Sequence, residues 1–126
     1  MSDEATIKRS LKIKTGSVKR LAKENNVYLK EIDELRVKAE KLSSLGGDEW
    51  EVKNANNLVN ETVRTVELTK EKLRNEVGGL RDLVTSVEGD ERIAGDESLV
   101  AAKETLKEVE PLVGAETAVD KKFELT

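Results

Sequence analysis

Between residues 7 and 42 the chain repeats a hydrophobic position at alternating steps of four and three: Ile7, Leu11, Lys14, Val18, Leu21, Asn25, Tyr28, Ile32, Leu35, Ala39 and Leu42. Nine of these eleven are apolar or aromatic, which is a heptad seam on one long helix. Lys14 and Asn25 interrupt it, and a polar residue in a seam fixes register at some cost in stability. Gly46-Gly47 closes this helix. Asp48 then stands as an N-cap, with Glu51 three residues on, the spacing of a capping box. A second seam reads Val52, Ala55, Val59, Thr62, Val66, Thr69 and Leu73, then slips by two successive steps of four before Val77, Leu80, Val84 and Val87 continue it. Such a stutter unwinds a supercoil locally. Gly78-Gly79 lies beside it, and each glycine weakens a helix by about 1 kcal/mol relative to Ala. A bend or local looseness is expected there.

Residues 88–98, EGDERIAGDES, read as a turn-rich acidic loop that ends in Asp96, the expected N-cap of a third helix. Its seam is Leu99, Ala102, Leu106 and Val109, and Pro111 with Gly114 is expected to end it. The predicted fold is all-α: an elongated antiparallel three-helix bundle with coiled-coil-like packing, two long helices and a shorter third. The bundle takes residues 1–110, with helices at about 4–45, 48–87 and 96–110, and residues 111–126 form a flexible tail. Helices of roughly 40 residues span about 60 Å, so the third covers only part of that length. Running antiparallel to the second, it should lie over the Leu11 and Leu21 end of the first. The other end, with Leu35, Leu42, Trp50 and Leu58, is left as a two-helix hairpin whose open apolar flank suits a partner or a second copy.

Composition agrees with long helices: of 126 residues, 38% are charged and 2% aromatic. There is no Cys and no His, which removes disulfides, thiolate chemistry, the commonest general base and the commonest metal ligand. No apolar run of about 18 residues could span a bilayer, and the opening MSDEATIKRS lacks the apolar stretch of a secretory leader. Carboxylates are abundant, but a catalytic pair needs a dry concave pocket that a thin bundle does not form. Asp90, Glu91, Asp96 and Glu97 do not follow the spacing of a calcium loop. No enzymatic activity, cofactor or metal site is expected.

Charge is uneven. Residues 1–45 hold eleven Lys and Arg against seven Asp and Glu, and residues 46–126 hold eleven against nineteen. Residues 11–24 read LKIKTGSVKRLAKE, with five cations before the first acid. With Leu11, Lys14, Val18 and Leu21 turned inward, the outer face carries Lys12, Ile13, Gly16, Lys19, Arg20 and Lys23. An exposed Ile beside a Gly among cations suits a contact surface for an acidic protein; the plainer alternative is surface charge matched by acids of a neighbouring helix. Nucleic acid fits less well, because no aromatics interleave the cations and the net charge is −4. A membrane surface would need the apolar stripe free, and the heptad stripe is expected to be buried against the second helix.

The same stretch, followed by Tyr28 and Lys30-Glu31, resembles the opening of the tubulin-binding cofactor A family. That signature is close to I/L-K-I-K-T-G-x-V-K-R-L-x-K-E, then an aromatic, then K-E. Residues 48–53, DEWEVK, are similar to a second family segment, with Trp50 where Tyr is usual, and Ala102, Lys103 and Leu106 give a weaker third match. The resemblance runs to about Val109. The family often carries a Pro midway along its second helix, where Glu67 stands here, and the acidic loop and tail are longer than usual. The resemblance implies a cytoplasmic, cytoskeleton-associated protein, monomer or homodimer. It implies binding of β-tubulin released from the cytosolic chaperonin and its transfer to other tubulin-folding cofactors toward the αβ heterodimer, without nucleotide hydrolysis. It makes Lys12, Ile13, Gly16, Lys19, Arg20 and Lys23 the expected contact, with Trp50 on the apolar flank as a second. The rival reading is a coiled-coil scaffold that self-assembles.

Overall fold

Asp3 begins the first helix by accepting the Thr6 amide on its carboxylate at 2.7 Å. A computed structural model describes residues 3–114 of the chain. Three helices follow in order: α1 (Glu4–Ser44), α2 (Glu49–Val87) and α3 (Glu97–Gly114). They form the antiparallel bundle expected from the seams. Residues 115–126, most of the expected tail, lie outside the described residues.

The turn between α1 and α2 is a Schellman closure. Gly46 adopts φ +70°, and the amides of Gly46 and Gly47 bond the carbonyls of Ser43 and Leu42 at 3.4 and 2.8 Å. A Cβ at Gly47 would sit 2.8 Å from the Leu42 carbonyl oxygen, so both positions need glycine, for different reasons. Asp48 caps α2 by position only: its side chain makes no capping bond, so the expected capping box does not form. This turn is an exposed tip, open to water, and the acids Glu49 and Glu51 complement the helix dipole.

Two clusters make up the interior. The larger joins all three helices, with Leu11 and Val18 of α1, Leu73, Val77 and Leu80 of α2, and Leu99, Ala102 and Leu106 of α3. The smaller is a two-helix contact of Ile32 with Val59, Val63 and Val66. The third helix therefore covers the end of α1 that its length predicted. Its coverage widens the buried stripe of α1: Thr15 and Ala22, off the strict seam, are buried, while Lys14 is half-buried. Lys14 reaches across to α2, where a Cβ on Gly79 would lie 3.8 Å from its Nζ. Helix α2 runs unbroken through Gly78-Gly79, where a Cβ at position 78 would meet nothing within 4 Å and one at 79 would touch the lysine only at ordinary contact distance. Asn25 is 2% exposed with its carbonyl oxygen unbonded, a buried polar seam residue where the two clusters meet.

Two further expectations, at Thr62 and Pro111, need correction. Val63, not Thr62, is buried beside Val59 and Val66; Thr62 turns its hydroxyl back to the Leu58 carbonyl at 2.9 Å. Ile93 lies in the acidic loop and is fully buried, plugging the end of the larger cluster. Pro111 does not end α3, which continues to Gly114. Proline removes the bond to the Lys107 carbonyl, but both residues are exposed, so water can replace it, and Val113 one turn on still packs on the core.

The loop acids serve this closed end of the bundle. Asp90 pairs with the Arg92 guanidinium at 2.8 Å and accepts its amide at 2.9 Å. Asp96 accepts the Ser98 amide at 3.0 Å and the Ser98 hydroxyl, and pairs with Lys8 of α1 at 3.2 Å, tying the starts of α1 and α3 together. These bonds, those of Ser98 foremost, hold the Asp96 carboxyl at about 2 instead of 3.8. A carboxyl lowered by folding stabilises the fold above its unfolded value and loses that contribution as pH falls through its folded one. Thermal midpoints should therefore fall between about pH 4 and pH 2. Asp96→Asn should lower the midpoint at neutral pH, and the gap to wild type should close as pH drops through that window. A constant gap would place the stabilisation elsewhere.

Candidate functional site

The outer face of α1 is set by its inner one. With Leu11, Val18 and Leu21 buried, residues half a turn away must face solvent. Lys12, Ile13, Gly16, Lys19, Arg20 and Lys23 are all exposed there, and Arg20 also borders a groove lined by Lys72, Asn75 and Glu76 of α2. Ile13 is 61% exposed. Arg20 pairs only loosely, with Glu24 of its own helix at 4.0 Å. Among the described residues Lys12, Lys19 and Lys23 have no ion-pair partner, so the cations are not matched by acids of a neighbouring helix. Two nearby acids pair elsewhere, Glu110 of α3 with Arg81 at 3.0 Å and Glu88, just after α2, with Lys103 at 3.6 Å.

Gly16 stands out in this face. A Cβ placed on it would meet nothing within 4 Å, so no packing inside the chain requires a glycine there. The helix carries the glycine penalty of about 1 kcal/mol with no internal compensation.

Trp50 does not join this group. It is 69% exposed at the start of α2 and lines a groove with Leu35, Leu42, Ala55 and Leu58 at the two-helix end. Twelve residues of α1 separate Lys23 from Leu35, about 18 Å of helix. The seven sequence-predicted residues thus form two surfaces: one basic with apolar points, one apolar. Sequence reasoning missed Val27, which is 55% exposed and continues the basic face toward Lys30. The outward spacing of Ile13, Gly16, Arg20, Lys23 and Val27 was the available signal. Lys23, Asn26, Val27, Lys30 and Asp33 line a shallow depression there. Neither surface has the enclosed carboxylates of a catalytic pocket, and among the described residues no group of three ligand-type side chains could hold a metal.

The family model described as Tubulin binding cofactor A matches residues 6–106. A tubulin-folding cofactor A of Arabidopsis thaliana is 30% identical over 114 residues, covering 90% of this chain and 99% of the relative. The crystal structure of tubulin folding cofactor A from Arabidopsis thaliana superposes with a TM-score of 0.78 at 26% identity, covering 85% of this chain and 98% of that one.

Proposed function

The chain belongs to the tubulin binding cofactor A family, and from that premise we propose that it is a non-enzymatic tubulin-folding cofactor. It binds β-tubulin released from the cytosolic chaperonin, keeps it soluble, and passes it on toward αβ-heterodimer assembly. The observation that carries this reading is the outer face of α1, where Lys12, Lys19 and Lys23 have no acidic partner among the described residues and flank an exposed Ile13. Tubulin is acidic, and unpaired cations steer and orient such a client. The activity needs no bond chemistry: binding shields the client and release hands it on. The reading places the protein in the cytoplasm with the cytoskeletal assembly machinery; no described helix is long and apolar enough to cross a membrane.

A native-gel titration against β-tubulin freshly released from chaperonin tests it. A discrete complex is expected, absent with an unrelated acidic protein. No complex at micromolar concentrations would overturn it. The apolar groove at Trp50 favours a second reading, a scaffold that self-associates through its two-helix end. In that case sedimentation would show a dimer that Trp50→Ala dissociates. If the groove instead serves the client, the same substitution weakens the gel complex and leaves the monomer unchanged.

A further inference from the structure

The spacing that builds the inner seam of α1 recurs on its outer face. Ile13, Gly16, Arg20, Lys23, Val27 and Lys30 follow steps of three, four, three, four and three, and all are exposed. We propose that this stripe is the docking face for an acidic amphipathic helix of the client, which approaches α1 most closely at Gly16. The inference rests on the binding function above and names the element that is bound.

Several observations select a helix. A 4-3 repeat is what one helix presents to another lying along it, and a strand or loop would not read it over this length. Ile13 and Val27, 61% and 55% exposed, are two heptads apart and frame a contact of about 21 Å. Between them Gly16 faces open space, and only at a glycine can a second backbone come close without displacing a side chain. The glycine that serves no packing inside the chain is thereby accounted for.

Charge selects the partner. Arg20 and Lys23 occupy the middle of the stripe, where a facing helix would place acids. A second copy of this chain is disfavoured, because pairing two such stripes sets Arg20 and Lys23 of one against the same cations of the other. A nucleic acid would make no use of Ile13 and Val27 in register.

Substitution at Gly16 separates folding from binding. Gly16→Ala should raise the thermal midpoint by about 2–5 °C, since Ala is the better helix former and its methyl meets nothing in the chain. It should nonetheless weaken the complex with β-tubulin by about tenfold, and Gly16→Leu by more. A merely structural role would give the first effect without the second. The chain has no cysteine, so Asn26→Cys, at the edge of the stripe, carries a unique photocrosslinker. Adducts should fall on one client helix, at positions three and four apart beside acidic residues. Adducts on a strand, a loop or an acid-poor surface would overturn the proposal. Unchanged affinity of Gly16→Leu would overturn the docking face alone, whereas failure of the wild-type protein to bind β-tubulin would overturn the function and the docking face together.

Discussion

Reversing two charges on the outer face of α1, Arg20→Glu with Lys23→Glu, is expected to weaken the complex with β-tubulin by roughly a hundredfold, about 3 kcal/mol. Each reversal turns an attraction to client acids into a repulsion, at positions central to the stripe. The fold should hardly notice. Both side chains are exposed, and the internal partner lost is Glu24, at 4.0 Å from Arg20. An exposed pair four residues apart on a helix is worth about 0.3–0.5 kcal/mol, and the new like-charge neighbour costs a similar amount. The signature is therefore lost binding with a near-native thermal midpoint. Salt should reproduce it in the wild type, since surface charge is screened over about 8 Å at physiological ionic strength, and should have little further effect on the double variant. A folded variant with unchanged affinity and salt dependence would remove this face from the interaction.

Leu80→Ala is expected to destabilise the protein by about 3–4 kcal/mol, lowering the thermal midpoint by about 10–15 °C. Leu80 is wholly buried in the cluster to which α1, α2 and α3 all contribute, where collapse into the space left is expected to be small. Leu42→Ala, the same chemistry at the two-helix end, should cost about 1 kcal/mol or less, because Leu42 is only half-buried and lines an open groove. Hydrogen exchange should show the same division. Amides of α1 and α2 near Leu11 and Leu80 should open only with global unfolding, and those near Leu42 and Val52 by local fraying. Equal costs for the two leucines would mean that the third helix adds no stability to the end it covers. The division bears on the proposed contact: the basic stripe begins at the three-helix end, where exchange is expected to be slow, while the Trp50 groove lies at the two-helix end.

Much of the fold was legible because a heptad is a local pattern. Leu11, Val18, Leu21 and Ile32 were readable as interior from their spacing, and Leu99, Ala102, Leu106 and Val109 likewise. Gly46-Gly47 and Asp96 marked their boundaries through backbone chemistry that depends on a few neighbours. Legibility failed where burial depended on a distant element. Thr15 and Ala22 are covered because α3 lies on that flank, and nothing at their own positions says so. Ile93, one aliphatic side chain among acids and glycines, is buried because the bundle end needs a plug. Pro111 looked like a terminus because its missing donor is a local fact, while the burial of Val113 that holds the last turn is not.

The candidate site divides the same way. From its residues the chain determined that α1 has a basic outer face with an apolar point at Ile13 and a glycine at position 16, since helical periodicity alone turns those residues away from the seam. It also determined three helices, their order and the two connections, because seams and breakers are written in neighbouring residues. Only the tertiary structure decided that Lys12, Lys19 and Lys23 lack ion-pair partners among the described residues, that Gly16 faces open space, and that Trp50 lies on a separate surface at the other end. The reason is physical: periodicity belongs to a single helix, but exposure, pairing and empty space depend on where the other helices stop, and α3 is too short to cover the whole length of α1.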